Sequence, residues 1–380
     1  MSTRPTLVEI SLPQLAENYR VIRERVGAKR AVMAIVKADA YGHGLLEISK
    51  TLAGLGVDWF GVTSADEGIE LRQIGISQPI LLLTGFWEGE QQALTDFDLV
   101  PAVYSEDQLL ALESWGQKTG KRIRFHLKVN TGMGRLGIYW QEVELFVEAY
   151  RRMVHVEIEG LFAQFSAAED FTTRQTEEQA ERFHHVQQAL ARAGIFPRYC
   201  HQANSAAIVN RPETWGNMVR PGLLLYGYQL PPRFPAGDQP TSCHPLPVRE
   251  ILTFKSKIIA VKEVPAGIAL GYGGRYVTAR PSRIATIPAG YADGLDRRLS
   301  GRGHVIVCGQ YSPIVGNISM DLTLLDGTEL PHLSVGEEAI LIGHKGACAV
   351  TALDLAEMAG TIPYEILCGI GKRVPRRYLR

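Results

Sequence analysis

A lysine stands at the end of an apolar, β-branched run in the stretch VMAIVKADAYGHG, residues 32–44. The run predicts a buried strand, and Lys37 follows it together with polar residues and glycines. A lysine shielded by apolar neighbours has a lowered pKa and can form a Schiff base with an aldehyde. The alternative is a lysine whose ammonium group reaches solvent at the mouth of the fold. The position of Lys37 thus predicts either amine chemistry or a surface charge.

Strand-like runs alternate with longer amphipathic segments between about residue 30 and residue 225. The eight runs are AVMAIVKA, DWFGVT, PILLLTG, DLVPAVY, IRFHLKV, VHVEIEGLF, RYCHQAN and NMVRPG. This alternation predicts an α/β fold, an N-terminal (β/α)8 barrel of the TIM type, with a doubly wound open sheet as the alternative. Catalytic side chains of such barrels stand at the C-terminal ends of the strands, which is where Lys37 is expected.

The composition and the periodicity of the sequence change near residue 230. A Pro-rich segment, LPPRFPAGDQPTSCHPLPVRE, has little periodicity and predicts a linker. Short strand-like runs with turn residues at close spacing follow it, for example SRIATIPAGY and GHVIVCGQYSPIVGN. The second part of the chain is therefore expected to be a mainly-β domain.

Composition excludes several classes of function. The 380 residues contain 40 Lys and Arg against 40 Asp and Glu, so no global field favours nucleic acid. Apolar stretches fall short of the roughly 20 residues that span a bilayer, and the N-terminus has no apolar signal region, which predicts a cytoplasmic protein without a membrane partner. Five scattered cysteines without a CxxC pair predict buried free thiols, with neither disulfides nor a metal site.

Eight segments in succession carry a resemblance to a known family. They are VKADAYGHG, HLKVNTGMGRLG, HQANSAA, MVRPGLLLYG, GYGGRY, PAGYADGL, PIVGNISMDL and IPYEILCGIGKRVPRRY. The first resembles the pyridoxal-phosphate attachment site of alanine racemases, and the others follow in that family's order. The resemblance implies a cofactor-binding barrel over residues 11–235. Residues 1–10 and 241–380 would form the β-rich domain, which contributes to the active site of the partner in a homodimer.

The resemblance implies two acid/base groups. Lys37 would bind pyridoxal 5′-phosphate covalently and act on one face of the substrate, while Tyr272 of the partner subunit would act on the other. Racemisation removes the α-proton from one face and returns a proton to the other, so a base on each face serves both directions. Tyrosine has an unperturbed pKa of about 10, so its site must favour the phenolate. The alternative for Tyr272 is a hydrogen-bonded core tyrosine.

Phosphate contacts are expected from loops after the seventh and eighth strands. The cofactor-binding residues that the resemblance implies, besides Lys37, are Tyr41, Asn204, Ser205, Arg220, Gly222, Leu223 and Tyr364. The alternatives are that NSAA only caps a helix and that RPG only forms a turn. Arg220 would face the pyridine nitrogen and, because it keeps its proton, would leave the ring a weaker electron sink, which favours racemisation over transamination. A structural arginine in an ion pair is the alternative.

Three residues are expected to bind the substrate. Arg135 would bind the substrate's carboxylate, and Met320 and Tyr291 of the partner subunit would complete the pocket. In many members of the family the lysine at the position of Lys128 is carbamylated and anchors Arg135 as an anion, whereas an unmodified lysine would repel Arg135. Asp321 would support the local network. His201 would be either a supporting residue or a hydrogen-bonded core histidine.

One departure from the family bears on mechanism. Gln164 occupies the place of a family histidine that links the tyrosine base to the arginine under the pyridine ring. Glutamine can relay hydrogen bonds but cannot hold a proton charge, so we expect a shifted pH profile. Asn130 replaces a more usual aspartate, and Ser319 a common cysteine. Neither change removes a catalytic group.

The function implied is interconversion of L-alanine and D-alanine, which supplies D-alanine for peptidoglycan. Three alternatives remain at this point. The first is a broader racemase for serine or basic amino acids. The second is a non-catalytic pyridoxal-phosphate-binding protein, and the third is a barrel decarboxylase of basic amino acids.

Overall fold

The computed structural model describes residues 4–237 and 245–380. Residues 238–244, which include Cys243 and part of the predicted linker, lie outside the described residues. The described chain forms two compact units. The barrel unit contains Leu15–Ala40 and Leu45–Arg249, and the β unit contains the residues up to Gln14, Tyr41–Gly44 and Glu250–Arg380.

Strands and helices up to residue 237 are bounded as follows. The strands are β1 (Leu7–Ser11), β2 (Ala31–Ile35), β3 (Trp59–Val62), β4 (Ile80–Leu82), β5 (Leu99–Val103), β6 (Ile123–Asn130), β7 (Ile138–Tyr139), β8 (Val156–Phe162), β9 (Tyr199–His201) and β10 (Met218–Val219). The right-handed helices are α1 (Leu12–Val26), α2 (Leu45–Gly54), α3 (Ala65–Gln73), α4 (Gln91–Asp96), α5 (Glu106–Thr119), α6 (Val143–Tyr150), α7 (Gln175–Arg192) and α8 (Ser205–Asn210).

All eight predicted strands are present in the barrel unit. They pair in parallel in the order β10-β2-β3-β4-β5-β6-β8-β9, and β7 adds to β6. Backbone hydrogen bonds from Asn217 to Cys200 (3.2 Å) and from Arg220 to Ala203 (2.9 Å) bridge β9 and β10. The barrel prediction is therefore confirmed, and the open-sheet alternative is wrong. Strands such as β3 are buried on both faces, because helices cover the outside and side chains fill the interior.

The β unit is mainly antiparallel sheet with two helices. Its strands after β1 are β11 (Leu252–Lys257), β12 (Ala260–Val264), β13 (Ala269–Leu270), β14 (Tyr276–Val277), β15 (Ser282–Ile287), β16 (His304–Val307), β17 (Gln310–Val315), β18 (Thr323–Asp326), β19 (Glu338–Lys345), β20 (Cys348–Val350) and β21 (Arg376–Leu379). The helices are α9 (Ala352–Ala359) and α10 (Pro363–Cys368). Buried residues alternate along β11 with residues that are half-buried or, at Lys257, exposed, as expected for a sheet with one face on a core. The prediction of a mainly-β second part is confirmed.

The first strand of the chain completes this sheet. β1 pairs antiparallel with β11 and parallel with β21. The full strand order of this sheet is β12-β15-β18-β17-β16-β19-β11-β1-β21, and β20 pairs with β19. The strands β13 and β14 form a separate hairpin. Leu7–Ser11 and the region after residue 250 thus share one sheet.

The described cysteines correct one expectation. Cys200, Cys308, Cys348 and Cys368 are free thiols, as predicted. However, the first three are only half-buried and Cys368 is exposed, so the prediction that they are buried is wrong. Within 4–237 and 245–380, no helix is long and apolar enough to cross a membrane. No cluster of three or more His, Cys, Asp or Glu side chains in the same ranges could hold a metal ion.

Candidate active site

Lys37 lies at the start of an unusual turn that follows β2. Ala38, Asp39, Ala40 and Tyr41 have φ angles of 52–55°, in the left-handed region that L-residues other than glycine rarely occupy. Each such residue costs about 1–2 kcal/mol. Hydrogen bonds from the Ala38 amide to Glu67 Oε1 and from the Leu45 amide to Asp39 Oδ1, both 2.7 Å, hold the turn. The half-buried lysine is thereby fixed at the C-terminal end of its strand.

Positive charge accumulates around Lys128, which is buried near the end of β6. Burial, together with the charges of Arg220, Arg135 and Lys37, lowers the pKa of Lys128 to about 7. Its Nζ lies 4.5 Å from the centroid of the Phe162 ring, a favourable site for a cation. The structure therefore places three predicted cationic residues, Lys37, Arg135 and Arg220, within electrostatic range of Lys128. Such a cluster favours ligands that carry negative charge.

Arg220 is buried and fully engaged by neutral acceptors. Its Nη1 and Nη2 donate to the carbonyl oxygens of His201 (2.9 Å), Ala163 (2.8 Å) and Gln202 (3.0 Å). Nη2 also donates to Oε1 of Gln164 at 3.0 Å. No carboxylate among the described residues pairs with Arg220, so the ion-pair alternative is wrong, and burial lowers its pKa to about 9. At neutral pH the guanidinium keeps an uncompensated positive charge.

Two buried histidines extend the contacts of Arg220. Nη1 of Arg220 lies 2.8 Å from His201 Nδ1, and His201 Nε2 lies 2.9 Å from His126 Nδ1. Since arginine only donates, His201 Nδ1 accepts, its Nε2–H donates to His126, and the His126 proton lies on Nε2. Burial and the charge of Arg220 lower the pKa of His126 to about 3 and that of His201 well below its usual value. Both imidazoles are therefore neutral and hold fixed tautomers. His201 belongs to the network around Arg220.

The predicted phosphate loops meet through Ser205. Its Oγ accepts hydrogen bonds from the backbone N–H groups of Gly222 (2.9 Å) and Leu224 (3.2 Å). Asn204 caps α8 by accepting from the Ala207 amide at 3.0 Å, so the capping alternative describes part of its role. Leu223 is buried, and its N–H contacts no hydrogen-bond acceptor among the described residues of the barrel unit. A buried donor without an acceptor fits a site for a phosphate oxygen.

The other predicted residues lie in the β unit. The rings of Tyr41 and Tyr364 pack with centroids 5.7 Å apart. Burial, and then the neighbouring Tyr364, raise the pKa of Tyr41, so its hydroxyl keeps its proton and can donate a hydrogen bond.

Tyr272 is exposed in a short turn between two glycines. Gly271 (φ 69°) and Gly273 (φ 73°) take left-handed conformations that the GYGG sequence permits. Asn317 Nδ2 donates to the Tyr272 carbonyl oxygen at 2.6 Å. A cavity of about 440 Å³ beside this turn is lined by Tyr272, Tyr291, Arg297, Asn317, Ile318, Ser319, Met320 and Asp321. The structure thus brings together the three residues expected to act in the partner's site.

Close backbone contact explains how Tyr291 and Met320 meet. A Cβ atom on Gly290 would lie 2.4 Å from the carbonyl oxygen of Met320, so only glycine fits there. The Tyr291 amide donates to the Ser319 carbonyl at 3.0 Å. Asp321 forms an ion pair of 2.8 Å with Arg373, which also binds the buried Asp293. This agrees with the supporting role expected for Asp321.

Sequence reasoning missed three residues of the barrel site. His126 bonds His201 although 75 positions separate them. Phe162 stacks on His201 with centroids 5.1 Å apart and planes 5° apart, and Lys128 lies over its ring. Gly160 leaves room for the imidazole of His126. The only signal in the sequence was a histidine between the apolar residues Phe125 and Leu127 of a predicted strand.

Family models agree with the fold and the site. The alanine racemase N-terminal domain matches residues 10–230, and the alanine racemase C-terminal domain matches residues 251–378. The chain belongs to the alanine racemase family. This membership confirms the resemblance found in the sequence, the predicted enzyme class, a pyridoxal-phosphate-dependent isomerase, and the predicted cofactor.

Relatives of this family match the whole chain. An alanine racemase of Halothermothrix orenii is 40% identical over 376 residues, 99% of this chain and 97% of that protein. The alanine racemase structure from D-cycloserine-producing Streptomyces lavendulae has a TM-score of 0.90 at 33% identity and covers 100% of this chain and 98% of its own. The structure from Bartonella henselae, described with covalently bound pyridoxal phosphate, has a TM-score of 0.87 at 29% identity, with 99% of each chain covered. The alternatives of a non-catalytic carrier and a decarboxylase find no support among these alanine racemases.

Proposed function

We propose that this protein interconverts L-alanine and D-alanine with pyridoxal 5′-phosphate and that the residues named above form its active site. The observation that carries the assignment of residues is the cationic cluster of the barrel unit. Lys37, Arg135 and Arg220 lie within electrostatic range of Lys128. The cofactor is anionic and amino acids carry a carboxylate, so both ligands fit this charge.

The barrel residues divide the work of binding. Ser205, Gly222 and Leu223 would surround the phosphate, with hydroxyl donors from Tyr41 and Tyr364, and Asn204 would shape the loop. Lys37 would hold the cofactor covalently through its amine. When bound, the cofactor withdraws electrons from the substrate and makes its α-proton acidic. Arg220, which keeps its own proton, would face the ring nitrogen without protonating it.

Proton transfer needs a group on each face of the substrate. Lys37 would exchange the proton on one face, and Tyr272 of a second copy of the chain would exchange it on the other. Tyr272 is 75% exposed and Met320 is 52% exposed in the single chain, as expected for residues that a second subunit covers. Arg135 would orient the carboxylate, and Met320 and Tyr291 would bound the pocket. A homodimer with shared sites is part of this proposal.

Residues 11–235 would be the cofactor-binding domain, and residues 1–10 and 241–380 would be the domain that reaches the partner. Lys128, with its lowered pKa, would react with carbon dioxide and become an anion beside Arg135. The D-alanine formed would be used for peptidoglycan. The protein would act in the cytoplasm, and cell fractionation tests that location.

Chiral chromatography tests the reaction. Purified protein with pyridoxal phosphate is incubated separately with L-alanine, L-serine and L-lysine, and Lys37→Ala is the blank. We expect D-alanine to appear fastest and to be absent from the blank. D-serine or D-lysine formed faster than D-alanine would replace the proposal by the broader racemase. Cofactor binding without any D-isomer would contradict the catalytic assignment.

Mixed subunits test the shared site. The Lys37→Ala and Tyr272→Phe proteins should each lose most activity, because each lacks one acid/base group. After subunit exchange, a mixed dimer holds one intact site, so turnover should partly return. Differently tagged subunits, purified in sequence, would establish that exchange took place. No recovery in such purified mixed dimers would contradict a site shared between subunits.

A further inference from the structure

A second, strongly basic cavity lies in the β unit next to the Tyr272 cleft. Its volume is about 270 Å³, and it is lined by Arg275, Arg297, Arg298, Ser300, Arg302 and Asn317. Four of these six residues carry a guanidinium group and none carries a carboxylate. The proposed function gives this cavity no role.

The charges of this cavity are only partly neutralised. Arg298 pairs with Asp296 at 2.6 Å and with Glu365 at 3.2 Å. The guanidinium groups of Arg275, Arg297 and Arg302 have no acceptor among the described residues of the β unit. Other arginines of the unit, such as Arg283 and Arg373, bind carbonyl or carboxylate oxygens. In the single chain, three cations without an acceptor around one concavity raise the local potential and favour an anion.

Hydrogen bonds hold the walls of the cavity. Ser300 Oγ donates to the Arg297 carbonyl at 2.6 Å and accepts from the Ile318 amide at 3.0 Å. These two bonds tie the segment that carries Arg297 to the segment that carries Asn317. The site is therefore built on connected backbone, although its arginine side chains are exposed.

We infer that this cavity binds a small tetrahedral oxyanion of the phosphate class through Arg275, Arg297 and Arg302. Guanidinium groups bind such oxyanions through pairs of parallel N–H···O bonds, which a spherical halide cannot accept. Several arginines around one ligand suit an anion with more than one charge. Specific binding of the oxyanion can thus be distinguished from a general effect of salt concentration.

A ligand bound in the cavity should affect the position of Tyr272, the proposed catalytic tyrosine. Arg297 and Asn317 line both this cavity and the Tyr272 cleft, and Asn317 holds the Tyr272 carbonyl oxygen. A bound oxyanion would restrain Asn317 and thereby the turn that presents Tyr272. This coupling rests on the proposed function, whereas binding of the anion does not.

Equilibrium dialysis of the holoenzyme with radiolabelled inorganic phosphate, in excess chloride, tests the site. We expect saturable binding of one phosphate per chain in addition to the cofactor. The Arg275→Gln/Arg302→Gln variant should bind at least about tenfold more weakly, since it loses charge-assisted hydrogen bonds. Arg280→Gln is the matched control, because Arg280 lies outside the cavity and pairs with Glu329. It should bind like the wild type.

Two results would overturn the site. One is the absence of saturable phosphate binding, and the other is equal binding by the wild type and the double variant. Gel filtration of the same proteins adds a second check. Dissociation of the double variant into monomers, with no phosphate binding by the wild type, would assign these arginines to a subunit contact instead. Neither measurement depends on racemase activity, so failure of the proposed function would be recognised separately.

Steady-state kinetics test the coupling. Replacement of chloride by phosphate at constant ionic strength should change kcat for alanine by about twofold or more. The double variant should show no such change. Asn317→Ala should still bind phosphate but should lose the kinetic response. An unchanged kcat in wild-type enzyme with phosphate bound would overturn the coupling.

Discussion

The imidazole ring of His126 lies directly against Gly160 on the neighbouring strand. A Cβ atom at position 160 would lie 2.5 Å from His126 Nδ1, well inside van der Waals contact. The same nitrogen accepts the hydrogen bond from His201, which in turn supports Arg220. A missing side chain on β8 thus determines how closely the histidine pair can approach the arginine.

Gly160→Ala should therefore destabilise the protein and slow the reaction. The added methyl group would force His126 or the strands apart, which costs about 1–3 kcal/mol for an overpacked core. We expect a lower urea midpoint and a lower kcat, because His201 would lose its partner and Arg220 its orientation. Urea denaturation and steady-state kinetics measure both effects.

Gly54→Ala is the matched control for this substitution. Gly54 ends α2, and a Cβ there would meet no atom within 4 Å. Alanine in a helix is favoured over glycine by up to about 1 kcal/mol, so this variant should be as stable as wild type or more stable. Equal midpoints for the two alanine variants would show that His126 does not depend on Gly160.

Gln164→His should change the pH dependence of racemisation. Gln164 accepts from Arg220 Nη2 at 3.0 Å, and an imidazole nitrogen could accept the same bond. Unlike glutamine, histidine takes up a proton near neutral pH, although Arg220 would oppose it and lower its pKa. We expect at least one limb of the kcat/KM profile to move by about half a pH unit or more. Gln164→Asn, which adds no ionisable group, should leave the limbs in place, and identical profiles for all three proteins would contradict the prediction.

Lys128→Met should stabilise the cofactor-free protein most at low pH. The pKa of Lys128 is about 7 in the folded chain, whereas it is about 10.4 in an unfolded chain. Between these values the unfolded state binds more protons, so wild-type stability rises with pH and the penalty of the buried charge is complete below about pH 7. The variant should be more stable by up to about 4 kcal/mol at pH 6, and the difference should shrink towards pH 10. Urea midpoints in CO2-free buffer measure it, and a difference independent of pH would exclude a lowered pKa.

Carbamylation of Lys128 should be visible directly. A lysine with a pKa near 7 is largely uncharged at pH 8 and can attack carbon dioxide, and the product exchanges a positive for a negative charge beside Arg135. Protein equilibrated with 13C-bicarbonate should give one carbamate resonance in the 13C NMR spectrum. Lys128→Met should lack it, whereas Lys255→Met should keep it, because Lys255 is held protonated by Glu9 and Glu338. Persistence of the signal in Lys128→Met would assign it to another amine.

The sequence predicted the barrel because each of its strands corresponds to a short apolar run. All eight runs are strands, and Lys37 follows the first of them. The shape of the turn after Lys37 could not be predicted in this way. Alanine prefers right-handed conformations, and the left-handed turn is held by Glu67, a residue of another helix.

Contacts between distant residues set the other limit on prediction. The motif HLKVNTGMGRLG begins with His126, but only His201 and Arg220 could be given a role from the sequence. Pairing of two histidines depends on which strands become neighbours and in what register. The role of Gly160 depends on the same register, in which His126 stands opposite it. Likewise, the separate arginines that line the basic cavity of the β unit have no common motif in the sequence.

The pairing of β1 also determines the order in which this protein can be completed during synthesis. Val8 pairs with Arg376, so one edge of β1 stays without its partner strand until a ribosome has made nearly the whole described chain. The barrel strands, between residues 31 and 219, are all available earlier. The barrel can therefore form while translation continues, whereas the main sheet of the β unit can be finished only afterwards. An exposed strand edge favours pairing with other chains, so β1 is open to such mispairing during synthesis until β21 arrives.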